Sequence, residues 1–375
     1  MRILHLSDLH LGLRLHEQPF LEDQKNMLST AVNIVKENSI DCVFIVGDIY
    51  DKQVPPAEAI TVFDRFISQL ANINIPVFIS SGNHDSTERL SFGSSVMSAK
   101  GIYVTSVYDG NISPITVSDK YGYIDIYMVP FIKPANIRRF FENVEINTYT
   151  DAMQAIISAL PIDKTKRNIL ICHQNVGTAD QCDSVIGGLD MIDAAVFEPF
   201  DYVALGHIHE SYFVLRNGIR YCGTVLCYDF KNCDSKRGYS VIDINEKGDI
   251  SENLIEYTPP HSMMKIRGEL ADLIAIDKID KRAVNSYLHV TLTDEQEIID
   301  SIGKLRAVYP HVLSVEYDNT RTRIEQYIKF GGDTSEKTPF ELFSEFYEKQ
   351  NNAPLNDEQT NIVKQVIEEV WGEVL

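Results

Sequence analysis

The sequence predicts an α/β fold, and three observations carry that expectation. Short apolar runs of strand length recur along the first two hundred or so residues: Ile3 to Leu6, Val43 to Val46, Val77 to Ile79, Ile169 to Ile171 and Tyr202 to Leu205. Segments with helical spacing lie among them, at 20 to 37, 56 to 70 and 151 to 160. Each run leads into a polar motif: Asp8-Leu9-His10, Gly47-Asp48, Gly82-Asn83-His84-Asp85, Cys172-His173-Gln174 and Gly206-His207-Ile208-His209. Strands in one sheet would bring all five motifs to a common edge. There aspartate, asparagine and histidine would pool oxygen and imidazole donors suited to divalent Mn, Fe, Mg or Zn.

The elements follow in order. The helix at 56 to 70 starts just after Pro55-Pro56, where proline favours a helix start. Residues 111 to 132 read as strands. Ala152, Ile156, Ile157 and Leu160 then restore a helical stripe before the strand that leads to His173. More strands follow at Tyr212 to Arg216, Ile219 to Gly223 and Tyr239 to Ile244, with Asn217-Gly218 predicting a tight hairpin turn. The first domain is expected to span 1–258, because Thr258-Pro259-Pro260 interrupts the pattern. A small α+β domain is expected over 259–330: strands at Met264 to Leu270, Ser286 to Leu292 and Val312 to Tyr317, and a helix from about Asp294 to Val308. Residues 331–338, with Gly331-Gly332, read as a linker.

Residues 339–375 predict two amphipathic helices. Pro339 precedes Phe340, Leu342, Phe343, Phe346 and Tyr347; Ile362, Val363, Val366, Ile367, Val370 and Trp371 follow at near-heptad spacing. Asn351-Asn352-Ala353-Pro354 supplies a turn, and Asn356 with Gln359 has the spacing of a capping box. So short a pair buries little by itself. It either folds back on the main body or docks on a partner helix.

Composition sets outer bounds. With 375 residues, 44% hydrophobic and 23% charged, the chain is an ordinary globular protein of two or three domains. No stretch approaches the roughly 18 apolar residues of a membrane span, and the first ten residues already carry a motif, so no signal peptide is expected. Six cysteines, at 42, 172, 182, 222, 227 and 233, form no Cys-x-x-Cys pair, which fits reduced thiols in a cytoplasmic protein. The net charge of −20 disfavours a polyanionic partner. Two divalent cations would offset local carboxylates. Arg14, Arg89, Lys133, Arg138, Arg139, Lys236 and Arg237 lie in or near the metal-motif domain, and a partner subunit can add positive surface.

The chemistry follows from the donor types. Two metals about 3.5–4 Å apart can activate a water, neutralise phosphoryl oxygens and stabilise a leaving alkoxide. Asp8 and His10, two apart at a strand end, can point at one ion, and Asp48 is the natural bridge. Asn83 adds a neutral oxygen, and His173, His207 and His209 complete two shells. His84, beside a ligand, is placed near the phosphate, where it can protonate the leaving oxygen or stabilise the transition state. Asp85 would orient His84 or a ligand. Taken singly, each motif has a plain structural reading: Gly-Asn-His-Asp as a turn, His173 as a satisfied strand-end residue, Gly-His-Ile-His as surface alternation. The five together in this order are what chance does not readily give. His5, His16, His261, His289 and His311 match no motif, and Tyr127, Phe131 and Tyr228 read as packing residues.

The ordered set resembles the calcineurin-like metallophosphoesterase superfamily over about residues 1 to 240. Ser7-Asp8-Leu9-His10-Leu11-Gly12, Gly47-Asp48-Ile49-Tyr50-Asp51 with Pro55-Pro56 and Glu58-Ala59, and Ser81-Gly82-Asn83-His84-Asp85-Ser86 look more closely like the SbcD family of bacterial nuclease subunits. The tail from Pro339-Phe340-Glu341-Leu342-Phe343 is similar to that family's partner-binding segment. Protein serine/threonine phosphatases fit less well, since they read Gly-Asn-His-Glu where Asp85 stands.

The resemblance implies a four-layer αββα sandwich with a small α+β, DNA-binding cap domain at 259–330. It implies one metal on Asp8, His10, Asp48 and His209 and another on Asp48, Asn83, His173 and His207, with His84 acting on the phosphate and Mn²⁺ as the usual ion. It implies exonuclease activity on double-stranded DNA ends and endonuclease activity on hairpins and single strands in DNA repair and recombination. Members work with an SbcC-type ATPase, form homodimers through helices here near 56 to 98, and dock C-terminal helices on the ATPase coiled coil; Phe340, Phe343, Phe346, Val366 and Val370 would make that contact. One departure stands out. Relatives outside bacteria often carry a histidine where Asp51 stands, so the balance of exonuclease and endonuclease activity does not transfer. Asp51 can hydrogen-bond a histidine but brings no positive charge to phosphate. The alternatives are a small-molecule or cyclic-nucleotide phosphodiesterase on the same fold, and a scaffold that has lost its metals. The apolar tail argues against the first and the intact motifs against the second.

Overall fold

A run such as Cys42-Val43-Phe44-Ile45-Val46 has no polar side, so the strand it forms must be covered on both faces. The computed structural model, which describes residues 1–178, 191–296, 298–320, 338–351 and 354–371, covers it on both. Two six-stranded sheets lie face to face. The first runs, in spatial order, Ile250–Glu256, Gly238–Ile244, Arg2–Ser7, Cys42–Val46, Val77–Ser80 and Ile102–Val104. The second runs Tyr212–Phe213, Ile219–Tyr221, Tyr202–Gly206, Arg167–His173, Gly122–Val129 and Ile115–Asp119. Parallel strands occupy the middle of each sheet and antiparallel ones the edges, except that Ile102–Val104 closes one edge in parallel.

Alternate residues of each strand go to different layers. Ile3, Phe44, Val46 and Phe78 meet Ile124, Ile126, Ile169, Ile171 and Tyr202 between the sheets. Leu4, Leu6, Val43 and Ile45 face outward onto helix α1 (Leu21–Glu37) and helix α2 (Ala57–Asn72), through Met27, Leu28, Ala31, Phe63 and Phe66. On the far side, Leu170, Cys172, Val203 and Leu205 pack on the helix Tyr149–Ala159 through Met153, Ile156 and Ile157. The result is the expected four-layer αββα sandwich.

Several expectations need correction. The five motifs come from two sheets rather than one, three from the first and two from the second. Asn217-Gly218 does form the expected tight turn, closed by the Ile219 N–H on the Arg216 carbonyl at 3.3 Å, but the ladder stops one step back, at the Val214 N–H on the Ile219 carbonyl, with Leu215 and Gly218 both at positive φ. The helix expected from about Asp294 to Val308 is only Ser301–Arg306, because Asp300 caps it by accepting from the Gly303 N–H while Asp294 instead caps the Leu270 N–H.

Residues 263–317 contain a separate, three-stranded, all-parallel sheet ordered Met263–Gly268, Tyr287–Leu292 and Val312–Tyr317. Leu288, Val290, Leu292, Leu305 and Val312 make its own apolar cluster, while Met263, Tyr287 and Leu313 join the cluster under α1. Helices Pro339–Asn351 and Asp357–Trp371 pack on each other, with Gln359 donating to the Tyr347 hydroxyl at 2.9 Å and Lys364 over the Phe340 ring. Both start with capping boxes, Thr338 with Glu341 and the expected Asn356 with Gln359. The expected linker, apart from Thr338, and Cys182 lie outside the described residues. The other cysteines are free thiols. Among the described residues no helix is long and apolar enough to cross a membrane.

Candidate metal centre

The central strands end side by side, with Ser7 level with Val46 in one sheet and His173 level with Gly206 in the other. The chain turns sharply just beyond them. Asp8, His10, Asp48 and His207 take φ values of 52°, 44°, 46° and 106°, in the left-handed region that costs a residue with a Cβ about 1–3 kcal/mol. The motif glycines let the two sheets close. A Cβ on Gly47 (φ 71°) would lie 2.2 Å from His173 Nδ1, and one on Gly206 would lie 2.0 Å from the Val46 carbonyl oxygen.

The donor atoms of all five motifs converge in this cleft. His10 Nε2 is 3.1 Å from His209 Nε2 and 3.8 Å from Asp48 Oδ2, and His209 Nε2 is 3.9 Å from Asp8 Oδ1. His173 Nε2 is 3.3 Å from Asp48 Oδ2 and 3.1 Å from Asn83 Oδ1, which is also 3.0 Å from His207 Nδ1. Three overlapping groups have ligand atoms mutually within 4.8 Å: Asp8, His10 and His209; Asp8, Asp48 and His173; and His10, Asp48 and His84. This donor set fits divalent cations. Imidazole nitrogens and the Asn83 amide oxygen gathered around two buried carboxylates, Asp8 and Asp48, are a mixed oxygen and nitrogen donor set that a divalent cation would neutralise.

Protonation in the bare centre follows the same logic. Burial opposes charge on His173, but its bond to Asp48 and the charges of Asp48 and Asp8 prevail and raise it to about 9. Against its own burial, His173 and the His84 N–H hold the Asp48 carboxyl well below the usual range. His10 and His207 are lowered, by burial first and by neighbouring histidines in addition. The His173 Nδ1 proton points to the Val46 carbonyl at 3.0 Å, which presents Nε2 to the centre.

His84 is the exposed member. Its ring stands edge-on to His10 at 5.0 Å, its backbone N–H donates to Asp48 Oδ1 at 2.8 Å, and its Nδ1 faces the main-chain carbonyl of Asp51 at 2.9 Å. Asp51 thus meets a histidine through its backbone, not its carboxylate. Asp85 does not touch the His84 ring. It accepts from the Gly82, Ile49 and Tyr50 N–H groups at 2.9, 3.1 and 3.0 Å, tying the Asp48 loop to the Asn83 loop.

Three residues outside the motifs hold ligand loops. Gln24, fully buried on α1, donates to the His10 and Leu9 carbonyls and accepts from the Gly12 N–H. Tyr228, expected to be packing, donates its hydroxyl to the Leu9 carbonyl at 2.7 Å. Arg237 donates to the His209 carbonyl at 2.8 Å. The sequence signal for Gln24 is a polar side chain on the apolar face of α1, between Phe20 and Met27. Phe340, Phe343, Phe346 and Val366 stand on the C-terminal helices, which contribute no donor to the three groups, and the Val370 side chain lies outside the described residues.

Residues 1–211 match the family model of the calcineurin-like phosphoesterases, and residues 259–351 match that of the type 5 capsule protein repressor C-terminal domain. The SbcD component of the nuclease SbcCD from Staphylococcus epidermidis is 29% identical over 377 residues, covering 98% of each chain. Among solved structures, a dimetal phosphatase from Danio rerio aligns with 69% of this chain and 99% of its own at 13% identity and a TM-score of 0.42. The protein TT1561 of Thermus thermophilus aligns with 68% and 98% at 10% identity and a TM-score of 0.40. The resemblance to SbcD drawn from the motifs therefore runs nearly end to end. Since the phosphoesterase match spans more than half of the 375 residues and contains every donor of the centre, the chain belongs to the calcineurin-like phosphoesterase family of hydrolases.

Proposed function

We propose that this chain is the DNA nuclease subunit of a two-component complex, cutting phosphodiester bonds with two divalent cations, Mn²⁺ first among them. The observation that carries the reading is the pair of donor sets meeting at Asp48, with the exposed His84 ring beside them. Asp8, His10, Asp48 and His209 would hold one ion and Asp48, Asn83, His173 and His207 the other. Such a pair supplies neutralisation of the phosphoryl oxygens and lowers the pKa of water. The chain's own part is to orient and to move protons. His84, turned by the Asp51 carbonyl, faces the cleft and delivers a proton to the leaving oxygen, while Asp85 keeps the Asp48 and Asn83 loops in register.

The full-length likeness to a nuclease subunit supports DNA as the substrate, both duplex ends and hairpins or single strands, despite the net charge of −20. The half-exposed Phe343 and the more exposed Phe346 and Val366 support docking of the C-terminal helices on an SbcC-type ATPase. Exposed Ile60 on α2, with exposed Phe92 and Val96 after it, supports a homodimer through residues 56 to 98. Residues 259–330 would cap the site and bind DNA, in a cytoplasmic repair enzyme. The test is Mn²⁺-dependent cleavage of an end-labelled duplex and a hairpin, beside bis-p-nitrophenyl phosphate, with and without the ATPase. DNA cleavage that His84→Ala abolishes is expected. Turnover of the small diester alone, still unaltered by the ATPase, would shift the reading to a small-molecule phosphodiesterase.

A further inference from the structure

Two adjacent side chains of α1 are polar, buried and turned to different parts of the molecule. Asp23 is 2% exposed, and its carboxylate faces the unit that holds the three-stranded sheet: it accepts from the Tyr287 hydroxyl at 2.6 Å and lies 3.0 Å from His261 Nδ1. Gln24 is 0% exposed and faces the metal centre, with its amide N–H groups on the carbonyls of His10 (2.8 Å) and Leu9 (3.2 Å) and its oxygen on the Gly12 N–H (3.0 Å). Aromatic contact runs alongside. The Tyr287 ring lies 4.5 Å from Phe20, Phe20 lies 6.0 Å from Tyr228, and Tyr228 stands edge-on to His10 at 5.9 Å.

Each half is costly to break. A buried carboxylate deprived of its donors bears the full cost of its desolvation, so Asp23 ties the first turn of α1 to the unit at 259–320. His10 sits at a φ of 44°, a conformation that persists only where its surroundings impose it, and Gln24 supplies three of the bonds that do so. We infer that Asp23 and Gln24 are paired positioning residues through which docking of the 259–320 unit sets the geometry of the His10 loop, so that docking and metal affinity are thermodynamically linked. The inference rests on the metal-centre reading above. Linkage is reciprocal: whatever docking does for the metal, the metal does equally for docking.

The experiment uses the full-length chain, Mn²⁺ titration by calorimetry, and hydrogen exchange with and without Mn²⁺. In the wild type, Mn²⁺ should slow exchange in peptides containing His261 and Tyr287. Gln24→Met should weaken Mn²⁺ binding about tenfold, as loss of an outer partner of a metal ligand does. Asp23→Asn and Tyr287→Phe, neither of which touches a ligand, should weaken it by about fivefold. Tyr287→Phe combined with Gln24→Met should be no weaker than Gln24→Met alone, whereas two independent structural losses would add. If the wild type binds no Mn²⁺, the metal reading itself fails. If it binds, but Asp23→Asn and Tyr287→Phe keep its affinity within about twofold, the coupling is overturned and the metal reading stands.

Discussion

At the strand ends Asp48 has both oxygens engaged, one by the His84 N–H and the other beside His173 and His10, and it is 2% exposed. On the C-terminal helices Phe346 is 60% and Val366 50% exposed, although both lie on the stripes that the sequence marks as apolar. The difference separates two uses of side chains. The centre is determined by the chain's own fold: glycines admit the close approach, left-handed residues turn the donors inward, and Gln24, Asp85 and Arg237 hold the loops. The helical pair has satisfied ends, through two capping boxes, and an uncovered face. Changes at the centre should therefore alter chemistry, and changes on the tail should alter assembly.

The largest break in that contrast comes from Asp48→Ala. Loss of an outer-shell partner costs about 10–100-fold in affinity; Asp48 is placed in both donor sets, so its loss should exceed that at each ion and take phosphodiester hydrolysis to background. Metal analysis and bis-p-nitrophenyl phosphate turnover check this, and a variant that keeps two ions would remove Asp48 from its bridging place. His84→Ala should be next. A general acid contributes about 10²–10⁴ in rate, and the proposed assignment leaves the ring outside both metal shells, so kcat should fall by that order with metal content unchanged. Parallel loss of metal would make His84 a ligand, as its grouping with His10 and Asp48 allows.

Much of the centre is legible in the sequence because its chemistry restricts residue type: Asp8, His10, Asp48, Asn83, His173, His207 and His209 all stand at strand ends, where the motifs put them. The apolar runs are legible because burial on two faces leaves no polar position. Their partition into two sheets is not, since Val43 to Val46 and Ile169 to Ile171 look alike whichever sheet they join. The bonds that hold the loops are harder to read. Asp85 offers only its place beside His84, yet it binds backbone N–H groups 35 and 36 residues away. Gln24 and Asp23 interrupt the apolar face of α1, and a polar pair on a buried helix face is the signal that marks them. The short helix Ser301–Arg306 follows from a capping choice between Asp294 and Asp300 that spacing alone leaves open.

The tail supplies the complementary test. Phe343→Glu with Phe346→Glu places charge at exposed positions, where substitutions usually change stability by no more than about 0.5 kcal/mol. The melting temperature and the turnover of bis-p-nitrophenyl phosphate should therefore be unchanged. Binding to the ATPase should weaken by about 2 kcal/mol or more, the loss expected when central aromatic anchors are removed, read by calorimetry against the purified partner. A fall in melting temperature instead would mean that these rings pack against the chain itself.

The smallest expected effect tests whether the sandwich behind the centre is as closed as its burial indicates. His5 projects between the sheets, 1% exposed, with Nδ1 2.9 Å from the Tyr202 hydroxyl. Burial, and after it the Arg220 charge, lower its pKa from 6.5 to about 3. The folded chain thus keeps His5 neutral where the unfolded chain protonates it, so stability is fully present above about pH 6.5 and is lost as the pH falls toward about 3. At 1.36 kcal/mol per unit, the loss by about pH 5 is about 2 kcal/mol. His5→Gln removes the titration. Urea unfolding in chelator should show the stability gap between wild type and variant narrowing by that amount from about pH 7.5 to about pH 5. A gap that stays constant would mean that water or a proton reaches His5 in the folded state, and that the space between the sheets is open where the strands place it shut.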